Sequence, residues 1–286
     1  SYNTAVGACT LYANTTGAYN TGVGFKALKS NTCGHNNTAS GTYALASNTT
    51  GGCNTAMGDN TLSSNTTGAY NTGVGKNALQ NTTTGACNTA VGYNTLVSNT
   101  TGKANTVAGY SAAQINTTGQ YNAVFGYQAL AANTTGEANI AIGYQTGTNI
   151  TTGAQNVAVG HRALNQSQTA NNNVAVGFDT LYYNSTGTLN TASGYRALYS
   201  NTTGNQNTAY GQQSLYANTT GCLNVAVGVG ALLCNTTGYI NIAIGDNAGR
   251  CNTTGVQNVA MGTGALYVNS TGTRNTAIGA QALNQN

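Results

Sequence analysis

Four carboxylates, two histidines and seven cysteines are the side chains with chemistry for acid–base, nucleophilic or metal-assisted work. Asp59, Glu137, Asp179 and Asp246 would need a partner roughly 5–10 Å away to act as the acid and base of a glycoside hydrolase, and no two of them have that spacing along the chain's repeat. His35 and His161 lie several repeats apart, neither beside a marked nucleophile, which argues against a Cys–His dyad. The cysteines form no CxxC and no Cys/His cluster at metal-ligand spacing, and an odd, sparse count is not a disulfide scaffold. The glycines do not follow the spacing of a phosphate loop. The expectation is a chain that is not an enzyme and holds no cofactor or metal.

What positions these residues is a 17-residue repeat. With Asn3 as position 1, Asn returns at 20, 37, 54, 71 and every 17 residues to 275, without insertion or deletion, and the consensus is N-T-A-V-G-x-x-A-L-x-x-N-T-T-G-x-x. Position 5 is Gly in every copy, including Gly7, Gly24, Gly41, Gly58 and Gly75; position 15 is Gly in 15 of 16, with Ala170 the exception. A residue fixed across so many copies signals a backbone demand, a corner with positive φ or close backbone approach. Position 9 is Leu in 14 of 17 copies and position 3 is nearly always small, so both read as the inside of a narrow coil. Position 4 accepts Val, Ile, Met, Ser40, Phe125 and Tyr210, a range that suits an exposed face or a contact between chains.

Two Gly per unit, β-branched Thr and Val, and clustered Asn argue against helix. Short strand-like runs, N-T-A-V and A-L-x-x, alternate with Gly corners. The pattern therefore predicts an all-β parallel β-solenoid with one repeat per coil, a single repetitive domain over 1–286. At about 4.8 Å per coil, the 17 coils would make a rod of roughly 80 Å. In such a stack Asn3, Asn20, Asn37, Asn54 and Asn71 form a structural ladder, as does the Asn of position 12. That second column also carries N-glycosylation patterns such as Asn14-Thr15-Thr16, whose full occupancy the stacking would oppose.

Position 6 runs Tyr93, Tyr110, Tyr127, Tyr144, His161, Phe178, Tyr195, an aromatic stripe that either stabilises the sheet or offers a platform to sugar rings. Position 10 adds Tyr182, Tyr199 and Tyr216. Cys234 and Cys251 share position 11 of adjacent coils and are predicted to form at most one disulfide. Position 2 carries Thr4, Thr21, Thr38, Thr55, Thr72, Thr89 and Thr106 before drifting to Ala and Val, a partial match to an ice-binding Thr ladder.

Charged residues are 4% of the chain and the net charge is +4, so Asn, Thr, Ser, Gln and Tyr hold the surface in water. No basic run marks a nucleic-acid footprint, and no stretch of about 20 apolar residues marks membrane insertion. The first residues have no charged and apolar signal-peptide pattern, and the chain starts and stops in mid-pattern; a segment of a longer chain or end-to-end stacking is expected.

The run N-T-A-V-G-x-x-A-L-x-x-N-T-T-G resembles repeats of phage-type tail fibres. The cores Ala141-Ile142-Gly143 and Ala158-Val159-Gly160 are similar to the left-handed β-roll heads of trimeric autotransporter adhesins. The resemblance covers essentially the whole chain. It implies a left-handed coil and an extracellular, cell-surface or virion-surface fibre that self-associates as a trimer through position 4; end-to-end association is the expectation from the mid-pattern ends, and a cell-surface glycan is the candidate partner of the Tyr stripe. The alternatives are a glycan-binding module using the Tyr ladder and an ice-binding solenoid using Thr ladders.

Overall fold

The computed structural model describes residues 2–285, and among them there is no helix. The chain forms two compact units, Ser1–Ile142 and Gly143–Asn286, each a parallel β-solenoid with one 17-residue repeat per coil. In the first unit nine strands of three residues run from β1 (Thr4–Val6) and β2 (Thr21–Val23) to β9 (Ile140–Ile142). In the second, eight run from β10 (Val157–Val159) and β11 (Val174–Val176) to β17 (Thr276–Ile278). Within each unit consecutive strands pair in parallel with no slip, Thr4 opposite Thr21 and Val6 opposite Val23 in the first, Val157 opposite Val174 in the second. The T-A-V strand suits this place because its small middle residue points inward and its β-branched neighbours stand on the outer face.

The interior is the predicted pair of columns with position 8 added: Ala39 and Ala56 at position 3, Ala27 and Ala44 at position 8, Leu28 and Leu45 at position 9 are all fully buried. Each enclosed Leu contributes about 1.5–3 kcal/mol through burial. Position 4 faces out, with Val6, Val23, Met57 and Phe125 exposed in the first unit and Tyr210, Ile244 and Met261 in the second.

The A-L-x-x run departs from expectation: it forms turns instead of a second strand. Non-glycine residues take left-handed backbone at positions 7, 9 and 17 of successive coils, as at Lys26 (φ 58), Leu28 (φ 52) and Asn36 (φ 58). A left-handed L-residue costs about 1–2 kcal/mol. It persists because each turns its N–H along the stack: Lys26 and Asn36 donate to Ala8 O and Ala18 O of the preceding coil, both at 3.0 Å, and Leu28 to Ala44 O of the next at 3.0 Å. The turns thereby bond coil to coil as a sheet does, which satisfies these N–H groups along the stack.

The two glycine columns answer different demands. Gly7, Gly24, Gly41, Gly58 and Gly75 have φ between +123 and +143, and a Cβ on Gly58 would stand 2.7 Å from the Gly75 carbonyl. Gly51, at position 15, has no left-handed φ; there a Cβ would strike Asn48 Oδ1, 2.5 Å away, and the Gly68 carbonyl. Ala170 is tolerated in that column where Ser167 replaces the Asn of position 12, so the amide oxygen is missing from its coil.

Both Asn columns are buried and bonded. At position 1 the backbone N–H of Asn20, Asn37, Asn54 and Asn71 donates at 2.9 Å to the side-chain oxygen of Asn3, Asn20, Asn37 and Asn54 respectively. The Asn3 amide donates to Gly17 O at 2.8 Å, closing its own coil. At position 12 the rungs join amide to amide, Asn31 Nδ2 to Asn14 Oδ1 at 2.8 Å and Asn48 Nδ2 to Asn31 Oδ1 at 2.7 Å. Those amides are engaged by the fold, so a glycan on Asn48 would have to displace its bonds to Asn31 and Gly51.

Candidate functional site

Position 6 follows the strained Gly of position 5, and its side chains stand half out of the coil in register with the stack. In the first unit Tyr93 and Tyr110 stack at 5.3 Å between centroids, as do Tyr110 and Tyr127. In the second, Tyr144 stacks on His161 at 5.1 Å, His161 on Phe178 at 4.6 Å and Phe178 on Tyr195 at 5.6 Å. A parallel ladder at the coil repeat forces this face-to-face order. It also alters the expected sugar platform: a ring between two others has both faces covered, so His161 and Phe178 present edges to solvent, and a free face exists only where a ladder ends.

Beside this ladder lies one the sequence reading did not assemble. Arg162, Asp179 and Arg196 all occupy position 7, separated by 17 residues each, and the αL backbone at 162 (φ 52), 179 (φ 53) and 196 (φ 54) aims them alike. The Asp179 side chain is 0% exposed while both arginines are 33% exposed. Arg162 holds both carboxylate oxygens, Nε on Oδ1 and Nη2 on Oδ2, each at 2.9 Å. Arg196 Nε stands 3.6 Å from Oδ2 and His161 Nδ1 3.9 Å from Oδ1, and neither nitrogen has a hydrogen-bond partner. A carboxylate this deep is tolerable because it is paired and bidentate.

Aromatic walls hold the arginines flat. Arg162 lies 5.8 Å from the Phe178 ring and 5.2 Å from Tyr182; Arg196 lies 5.1 Å from Tyr195 and 5.3 Å from Tyr199. The far wall is the position-10 ladder, Tyr182 on Tyr199 at 5.5 Å and Tyr199 on Tyr216 at 5.2 Å. The Asp179 bond raises the Arg162 guanidinium above its ordinary value. Burial first, and then the hydrogen bond to Tyr183, pushes the Tyr199 hydroxyl up to about 12. Asp179 is one of the four carboxylates that have no catalytic partner along the repeat; the 17-residue interval that it shares with Arg162 and Arg196 was the signal available.

Cys234 and Cys251, expected to form at most one disulfide, are free thiols, like the other five cysteines. Burial, followed by the neighbouring Cys251, pushes the Cys234 thiol up. The position-2 threonines of the first unit face outward. At position 13 the hydroxyls are engaged, Thr32 Oγ1 on Thr49 O and Thr49 Oγ1 on Thr66 O, both at 3.0 Å. A cavity of about 250 Å³ opens where Gly264 leaves position 7 without a side chain, lined also by Asn247, Thr263, Tyr267, Gln281 and Asn284.

Among the described residues no three His, Cys, Asp or Glu side chains cluster as metal ligands, and no helix is long and apolar enough to cross a membrane. No protein-family model matches the chain, and no curated protein or solved structure matches it either.

Proposed function

We propose that this chain is a structural shaft segment of an extracellular fibre or adhesin, on a cell or virion surface, and that it works by presenting a long, regular surface without catalysing a reaction. The observation that carries this reading is the sameness of the coils. In each unit the strand register, the glycine corners and both Asn ladders recur every 17 residues, and a fold specified identically at every level gains length, not a pocket. Self-association through the exposed apolar column at position 4 fits the same role. Its members vary in volume from Ser193 to Tyr210, as a contact between chains allows and a sealed core does not.

Negative-stain imaging and sedimentation of the full chain test the proposal. Elongated, self-associated particles are expected; compact globular monomers at high concentration would contradict it.

A further inference from the structure

We infer that the step formed by Tyr195, Arg196, Gln212 and Gln213 is a binding subsite for the carboxylate of an acidic saccharide. The inference starts from an imbalance in the position-7 rungs. Two arginines flank one carboxylate, and Arg162 alone takes both its oxygens. Arg196 is left 3.6 Å away, its Nε buried toward Asp179 without a hydrogen bond, and its terminal nitrogens, on a side chain 33% exposed, have no hydrogen bond among the described residues. The surplus cation therefore sits on a guanidinium whose two terminal nitrogens are unfilled, and that planar pair matches a carboxylate in two parallel bonds.

The fork is already held in place. Tyr195 at 5.1 Å and Tyr199 at 5.3 Å from its central carbon fix its plane, so little side-chain freedom remains to be lost on binding. Next to it the position-6 ladder ends. Tyr195 stacks on Phe178 on one side, and the column continues as Gln212, so the other face of a ring that is 42% exposed carries no aromatic partner. A pyranose ring has an apolar C–H face for such a surface and hydroxyls around its rim. Gln212 is exposed and Gln213 half-buried; neither side-chain amide has a hydrogen bond among the described residues, which leaves donors and acceptors for those hydroxyls. An acidic peptide would use the arginine but has no counterpart for a ring face flanked by two amides. The shaft reading does not depend on this subsite.

The test is calorimetric titration of the full chain with trigalacturonic acid, alongside the neutral galactose trimer and a sulfated galactose trimer, with tyrosine chemical shifts recorded in parallel. Trigalacturonic acid should bind and shift Tyr195 and Tyr199, with the neutral trimer about tenfold weaker or more. Arg196→Lys keeps the charge facing Asp179 and removes the fork; it should lower affinity about tenfold at an unchanged melting temperature. Gln213→Ala, which does not touch Asp179, should also weaken binding and serves if the lysine variant loses its fold. No binding of trigalacturonic acid at millimolar concentration overturns the inference, as does equal affinity for the neutral trimer, tighter binding of the sulfated one, or undiminished affinity in both variants.

Discussion

At the scale of single residues the molecule's chemistry is concentrated in Asp179, whose charge is enclosed only because Arg162 and Arg196 enclose it. Asp179→Asn removes the anion and leaves two guanidinium groups facing each other across a neutral amide. Breaking a buried pair costs about 3–5 kcal/mol. The two arginines are 33% exposed, so solvent relieves part of their repulsion, and a loss near 3 kcal/mol is expected in denaturant unfolding. Adding Arg196→Gln to that variant should restore part of the loss, because one fewer cation is then unpaired. Tyr199 gives a pH signature of the same cluster. Its folded value is about 12 against an ordinary 10.0, so between those two pH values the unfolded chain has released a proton that the folded chain keeps. The folded state binds more protons in that window, and stability falls as pH rises through it. Tyr199→Phe should show a shallower decline over the same range, read from unfolding midpoints at successive alkaline pH values.

At the scale of the coil, what was legible in the sequence was every demand that the backbone makes in the same way in each copy. The Gly of positions 5 and 15, the Leu of position 9 and the two Asn columns stand out because few copies depart from them, Ala170 and Ser167 among the departures. The left-handed turns at positions 7, 9 and 17 were not legible. They carry Cys9, Lys26 and Tyr43 at position 7 and Leu11, Leu28 and Leu45 at position 9, residues whose propensities argue against φ near +50 and give no sign of it. The stacking bonds override those propensities, and no single-residue preference records that. The Arg–Asp–Arg rungs were hidden for a related reason: position 7 varies freely from coil to coil, so no recurring residue marks it. The position-15 glycine permits a test of how far one column dictates another. Gly204→Ala would push its Cβ against Asn201 Oδ1 and the Gly221 carbonyl. Asn201→Ser would remove the first obstacle, reproducing the natural Ser167 and Ala170 pairing. The double variant should therefore be more stable than the sum of the single losses predicts, with a favourable coupling of about 1 kcal/mol or more in a double-mutant cycle.

At the scale of the whole molecule, stability in such a fold is nearly a sum over coils and the contacts between neighbours, which makes the repeat interval itself a variable. Excising residues 54–70 from the first unit removes one complete copy, so that Cys53 is followed by Asn71 in place of Asn54 and every column keeps its phase. Asn71 then offers its N–H to Asn37 Oδ1 as Asn54 does at 2.9 Å, Gly75 takes the corner of Gly58, and Leu79 that of Leu62. The shortened chain should retain its β circular dichroism and lose only the increment of one coil in its unfolding enthalpy. Excising residues 54–61 removes eight residues and places Leu62 of position 9 where Asn54 of position 1 had been. Buried leucines would then fall on the position-1 Asn ladder, Lys103, Gln120 and Glu137 would fall on the buried position 8, at both glycine corners the Cβ-bearing residues would meet carbonyls, and the first unit should lose its cooperative melt. If the two deletions proved equally damaging, the coils would not be interchangeable, and a shaft lengthened or shortened by whole repeats would lose its physical basis.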